Sequence, residues 1–429
     1  MVITLMTATV HVEPGWAVGT VTPADPAIDR DVLLDARGQP WIPGSSIAGS
    51  LRAHLAAASP AADIRLMGSR PPASQAESAV SAVSPLWVLG AVFTPDELSP
   101  GSAAVALETV GQTAIDRVRG AAAPGSLRFS RLAARGGDLA VYLRHDPAEH
   151  PLSEADLQLI AGWRPAIGRD RSRGSGRARL IELRYGTVNP ATPDGVATWL
   201  EYDGPQLFGA VAQHVINGPP DIPPWLEAEF EIIDGLLIGS SLAERAATTR
   251  KRNGRPLVPG SAWKGLIRSR TEFIIRSRYG ENAACRQQAG CGTCVVCAVF
   301  GHQGQRGLLA FRDSYIEHAE HTDDGQPETA RTHVGIDRVT GGSRDALLFQ
   351  TAPLPAGHLR LRIDSLGPVE PWVRNTIAHV LRDVSDGLIG VGSRSTRGLG
   401  TLRCAGQPGD PEPVVIPQLE HSPAPEPAS

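Results

Sequence analysis

The run CRQQAGCGTCVVC holds four of the chain's five cysteines, Cys285, Cys291, Cys294 and Cys297. Four thiolates at such spacing can close a tetrahedral zinc site, with His302 as a possible substitute ligand. The tight C-x2-C-x2-C run also occurs in iron–sulfur proteins, and uncoordinated thiols are the plain alternative. In a chain expected to stay in a reducing compartment, crowded cysteines point to metal rather than disulfides. Structural zinc is the preferred reading. Cys404 falls on a predicted strand and reads as a small buried residue.

Two further groups carry charge suited to phosphate chemistry. The loop TPADPAIDRDVLLDARG contains Asp25, Asp29, Asp31 and Asp35. A carboxylate there could hold a divalent ion or assist proton transfer. The loops IGRDRSRGSG and IGVGSRSTRGLG carry Arg169, Arg171 and Arg173, and Arg394 and Arg397. Guanidinium forks match phosphate oxygens, and glycines let backbone approach a ligand closely. Two PGS phrases open predicted helices, so that Ser45 and Ser46, and Ser261, lie where amides are exposed for an anion. Arg52, Lys264 and Arg268 add positive charge nearby. The plain alternatives are capped helices and solvated turns. The order of elements excludes familiar nucleotide sites, because these glycines follow a helix and lead into a strand. No GxxxxGK[ST] is present, and Ala48 and Lys264 break a GxSxG.

The elements behind these residues come in duplicate. WIPGSSIAGSLR at 41–52 echoes LVPGSAWKGLIR at 257–268, and AIDRVRG at 114–120 echoes GIDRVTG at 335–341. Ile167-Gly168 and Gly174-x-Gly176 echo Ile389-Gly390 and Gly398-x-Gly400, and Ala91-Val92-Phe93 echoes Ala298-Val299-Phe300. Each copy reads strand, helix, two strands, helix, strand. The expected fold is therefore α+β, with two tandem ferredoxin-like (βαββαβ, RRM-like) domains carrying insertions. The boundaries expected are 1–185, a Pro/Gly-rich linker at 186–224, a second domain at 225–405 with the cysteine knuckle, and a disordered Pro-rich tail at 406–429. The copies differ most in the acidic loop, where the second has only Glu244 among several basic residues.

Composition narrows the class. The chain has 429 residues, 41% of them apolar, and a net charge of −4, so it is not a globally basic nucleic-acid protein. Of 41 basic residues only Lys251 and Lys264 are lysine, which makes arginine abundance uninformative and arginine clustering informative. The N-terminus lacks a signal-peptide pattern and no run is long enough for a membrane span. The expectation is a soluble cytoplasmic protein with no membrane partner.

Each half resembles the RAMP superfamily of CRISPR proteins. The marks are the apolar-PGSS/A-x-x-G-x-x-R phrase, the I-D-R-x-x-G segment, the Gly-rich loop near each domain's end and the cysteine run ending in CAVFG. The likeness covers roughly both domains and is strongest to the repeated backbone subunit of type III effector complexes, here fused in tandem as in type III-D variants. It implies binding of guide (CRISPR) RNA along its phosphates, pairing with target RNA, and assembly with other subunits in antiviral defence. AIDRDVLLD places Asp29 on the family's cleaving aspartate, which implies a target-RNA endoribonuclease using a divalent cation such as Mg. The segment departs from the family at Arg30-Asp31, where a small residue and Pro are usual. Copy two offers Arg245 or Glu244 there and is expected to bind without cutting. A guide-processing endoribonuclease of the same superfamily, with His54 as acid or base, is the alternative, as is a purely structural RNA-binding subunit. With 5% aromatics, sequence-neutral backbone binding is the expected mode.

Overall fold

A computed structural model describes residues 2–23, 25–69, 82–93, 107–147, 151–239, 246–318, 330–406 and 411–420. The architecture is mixed α and β, with antiparallel sheets dominant. The chain divides into two compact units.

The first unit comprises Met1–Glu108, Arg131–Arg171 and Ser175–Ile222. Its elements are β1 (Ile3–Val12), α1 (Gly44–Ala58), α2 (Pro60–Met67), β2 (Leu86–Phe93), β3 (Gly137–His145), α3 (Glu154–Ala161), β4 (Ala178–Val188), α4 (Pro193–Glu201), α5 (Gly204–Val211) and β5 (His214–Asn217). The sheet runs β2-β3-β1-β4-β5 with every neighbour antiparallel. β1 is central, and its alternating side chains present Met6, Ala8, Val10 and Val12 on one face and Ile3 and Leu5 at the start of the other. Met6, Ala8, Val10 and Val12 pack under Ile47, Leu51 and Leu55 of α1, while Ile3 and Leu5 pack with Leu207, Phe208 and Val211 of α5. The segment 186–224 is thus not a linker. Its helix α5 covers one sheet face and β5 extends the sheet, because its Leu, Phe and Val bury what β1 leaves bare.

The second unit comprises Thr109–Ser130, Ser172–Gly174 and Pro223–Ser429. It contains β6 (Leu226–Ile232), α6 (Gly260–Tyr279), α7 (Val295–Phe300), β7 (Ser314–Glu317), β8 (His358–Ser365), α8 (Pro371–Ser385) and β9 (Leu402–Cys404). The sheet order is Lys251–Arg252, Arg255–Val258, β7, β8, β6, β9, all antiparallel. Trp263, Ile267 and Ile275 of α6 and Val373, Ile377 and Val380 of α8 close the core. The expected boundaries therefore shift, since residues 109–130 and 172–174 fall in the second unit. The expected tail is corrected over 411–420, where Val414 and Ile416 are buried and Tyr279 Oη donates to Val414 O at 3.0 Å.

Two sequence readings change in register. Ala91-Val92-Phe93 lies on strand β2 whereas Ala298-Val299-Phe300 lies in helix α7, so that echo has no structural counterpart. Helices α1 and α6 begin on Pro43 and Pro259 without a side-chain cap, so Ser45 and Ser261 sit inside the first turn instead of capping it. The glycine of PGS is required by packing. A Cβ on Gly44 would lie 2.5 Å from Val88 O, and one on Gly260 would lie 2.0 Å from Phe311 O. Among the described residues no helix is long and apolar enough to cross a membrane.

Candidate functional site

In the first unit the acidic loop is folded around Arg131. Asp31 is buried, its Oδ1 accepting the Val32 amide at 2.8 Å and its Oδ2 lying 3.2 Å from Arg131 Nη1. Asp25 Oδ2 takes the other arm of the same guanidinium at 3.0 Å. Asp35 accepts the amides of Arg37 and Gln39, both at 2.8 Å, and so shapes a turn. Asp29 is exposed in a bend. Arg169 reaches into this loop from the Gly/Arg segment and donates to Asp31 O (2.9 Å), Arg30 O (3.0 Å) and Arg131 O (2.8 Å). Its guanidinium therefore braces the acidic loop, a role the sequence did not suggest. Arg30 Nη1 stands 3.7 Å from Asp170.

This division of labour separates stability from chemistry. Asp31→Ala strips a buried carboxylate from its guanidinium and should destabilise the first unit by about 2–3 kcal/mol. Urea unfolding of the purified variant checks it, and a loss below about 0.5 kcal/mol, the usual range of surface changes, would contradict the bridge.

In the second unit Cys285, Cys291, Cys294 and Cys297 bring their sulfurs within 4.8 Å of one another. Cys297 Sγ lies 3.6 Å from Cys285 Sγ and 4.0 Å from Cys291 Sγ. A single tetrahedral ion with bonds of about 2.3 Å spaces its sulfurs by about 3.8 Å. The four cysteines could hold such a metal, zinc among them. A cubane cluster, whose sulfurs hang from four separate irons, would need them farther apart. Donors converge on the sulfurs as they do around metal thiolates. The Thr293 hydroxyl (3.4 Å) and the amides of Thr293 (3.4 Å) and Cys294 (3.3 Å) point at Cys291 Sγ, and these bonds pull its pKa down to about 5. Burial pushes Cys294 up to about 12. His302 is not part of the group, and its ring nitrogens meet Gln303 O at 2.7 Å and Gln305 Oε1 at 3.1 Å. Arg268 Nη2 donates to Cys297 Sγ at 3.3 Å and Nη1 to Gly301 O at 2.8 Å.

Arg52 has a matching place in the first unit. It donates to Asp63 Oδ1 at 3.0 Å, to Met67 O at 2.8 Å and to Gly68 O. Gly68 and Gly301 both end the next helix, α2 and α7, with positive φ. The repeated arginine thus satisfies carbonyls left open at a helix C-terminus.

The Gly/Arg loops align on their backbones. Ile167 N donates to Gly176 O and Val391 N to Gly400 O, while Arg169 N donates to Ala17 O and Ser393 N to Leu237 O. Val391-Gly392, not Ile389-Gly390, is therefore the counterpart of Ile167-Gly168. Asp170 and Arg394 then correspond and share left-handed φ of 58° and 62°. Short 3-10 turns follow at Arg171–Arg173 and Ser395–Arg397. Arg397 is exposed, and Arg394 lies over the Phe349 ring at 4.8 Å. Lys264 Nζ meets Ser172 Oγ at 2.9 Å. At the start of α6 the Gly260 amide already donates to Asp313 Oδ1 at 2.7 Å, and Arg252 backs that carboxylate at 2.5 Å.

Residues 229–403 match the RAMP superfamily. It is a superfamily associated with CRISPR-related RNA binding. No curated protein matches the chain. The RAMP segment takes in α6, the cysteine group and the Arg394–Arg397 loop. Outside it, the first unit shows the same glycine packing at its PGS helix, the same arginine on a helix-ending glycine and the same Gly/Arg backbone bonds as the RAMP segment. The two also share the bridges Gly19 to Val32 and Gly239 to Thr249. Counted back from these, the place of Asp29 in the RAMP segment falls on Ala246, not on Glu244 or Arg245, which lie outside the described residues.

Proposed function

We propose that this chain is a two-repeat backbone subunit of a type III CRISPR effector, binding guide RNA along its phosphates and cutting paired target RNA at the first repeat. Each repeat is read as ferredoxin-like. The runs β2-β3-β1-β4 in the first sheet and β7-β8-β6-β9 in the second have the same order, with helices in both crossovers and further strands beyond β4 and β7.

The observation that carries the binding reading is a bare helix stripe present twice. Ser45 and Gly49 lie one turn apart on α1, and Ser261 and Gly265 one turn apart on α6. Gly49 and Gly265 are exposed, and a Cβ on either would meet nothing within 4 Å. An exposed mid-helix glycine costs roughly 1 kcal/mol against alanine. Packing does not demand it in either repeat, whereas close approach of a sugar-phosphate backbone would. Ser45, Ser46 and Ser261, with Lys264, line that stripe, and Arg171, Arg173, Arg394 and Arg397 supply charge from the Gly/Arg loops. Arg52, Arg169 and Arg268 act behind it as braces. Gly265→Ala should raise the unfolding free energy by about 0.5–1 kcal/mol while weakening guide RNA binding. Retention of full affinity would remove the reason for the glycine.

Asp29 is the residue proposed to act on target RNA. Among the described residues the only gathering of three or more potential ligands is the cysteine group, so Asp29 would hold a divalent ion together with RNA phosphates, the usual manner of Mg. Such an ion would supply charge stabilisation at the cut phosphate. Asp29 itself would orient the site and manage a proton. Zinc is proposed for the cysteines in a structural role.

The deciding experiment is to purify the chain with its genomic neighbours and sequence the bound RNA. Uniform-length guides should be found, and affinity should fall steeply with salt and depend little on sequence. Strong sequence preference persisting at high salt would instead favour the guide-processing enzyme.

A further inference from the structure

Two turns of the second unit share one sequence and one geometry. In the first, Asp116 Oδ1 accepts the amides of Val118 at 2.9 Å and Arg119 at 3.0 Å, and Gly120 closes the turn at φ 64°. In the other, Asp337 Oδ1 accepts Val339 at 2.8 Å and Thr340 at 3.0 Å, and Gly341 closes it at φ 71°. Each turn presents the arginine that follows its aspartate, Arg117 or Arg338.

Arg117 is seated. Its side chain is 11% exposed, and Nε lies 2.8 Å from Glu272 Oε2, a carboxylate of α6 that is 1% exposed. Its other nitrogens donate to Gln287 O and to Gln288 O, the latter at 3.4 Å, and Gln288 Nε2 returns a bond to Ile115 O at 3.1 Å. Gln287 and Gln288 stand between Cys285 and Cys291. Arg268 completes the seat, 3.0 Å from Glu272 Oε1 and bonded to Cys297. The socket is one buried helix carboxylate plus the carbonyls of a metal-type loop.

Arg338 is exposed, and no partner for it is found among the described residues. Among the described residues there is no second socket to offer it. The position of Glu272 along the PGS helix is Ala56 in the first repeat, and that repeat has no cysteines. The socket at Glu272 is filled by Arg117, so another copy of this chain presents it closed.

We propose that the Asp337-Arg338-Val339 turn docks into a different protein that carries an open socket of this kind, a helix with a shielded carboxylate beside carbonyl-presenting loop residues. A protein partner is favoured over RNA because the twin turn gives its guanidinium to a buried carboxylate and two backbone carbonyls. The proposal rests on the assembly part of the reading above and is independent of Asp29.

The test places a benzoylphenylalanine photocross-linker at Val339, which is 94% exposed, in the chain purified with its genomic neighbours. The expected cross-link falls on a partner helix within one turn of an Asp or Glu. Arg338→Glu should weaken that partner's binding by about 30-fold or more and leave the melting of the isolated chain unchanged. Reversing the mapped acid to Arg should restore binding. Cross-links to RNA or to another copy of this chain, or none while guide RNA still co-purifies, overturn the docking. Loss of guide RNA and cross-link together overturns the proposed function as well.

Discussion

Asp29→Ala should lower cleavage of guide-matched target RNA by at least about 100-fold, the usual scale for a positioned proton-transfer or ion-holding group, while guide binding stays within about twofold. The expectation rests on the fold of the acidic loop. Asp25 and Asp31 share Arg131, and Asp35 holds a turn, so their loss acts on the shape of the loop. Asp29 is exposed in its bend, and its place in the other repeat falls on Ala246. On the proposed function, one cut per chain is expected, made by the first unit. Gel analysis of a target of fixed length checks both the rate and the number of cuts. Normal cutting by the variant, or cutting unaffected by EDTA, refutes the assignment, and loss of guide binding would show the loop to be purely structural.

Removing the metal should have the largest effect on stability. Purified chain is expected to carry about one zinc, and Cys294→Ser or a strong chelator should destabilise the second unit by several kcal/mol, roughly 10 °C in midpoint. The Cys297 sulfur receives Arg268, which holds Glu272, which receives Arg117. Loss of a bound metal should free the loop carrying Gln287 and Gln288 and open the buried carboxylate to water, so the damage should spread beyond the four thiols. Elemental analysis and thermal unfolding with and without chelator measure it. Iron with sulfide, or an unchanged midpoint after metal removal, would contradict the reading.

The sequence made some parts of this arrangement plain because local rules govern them. β1 and β6, the PGS helices and the closing Gly/Arg loops follow from apolar alternation, Pro-Gly starts and positive φ. The cysteine group follows from spacing alone. Other parts depend on partners far along the chain. Arg52, Arg169 and Arg268 look like phosphate ligands in sequence, but each finds carbonyls or carboxylates that only the folded chain brings near. The cover of β1 by Leu207 and Phe208 was hidden by the prolines and glycines around α4 and α5. Tyr279 lies 135 residues from Val414, so the docking of the C-terminal segment was equally out of local reach.

The sharing of residues 109–130 with the later unit bears on how the chain can be made. That stretch leaves the ribosome well before Glu272 exists, so the Arg117 turn waits without its seat while the first unit closes around its own strands. Contacts spanning such sequence distances are slow to form because chain entropy is spent before they are gained. A truncated chain beginning at Pro223 would keep β6 to β9 yet leave Glu272 facing Arg268 alone, an exposed acidic hole prone to misassembly. The later unit is therefore complete only when this early segment is supplied.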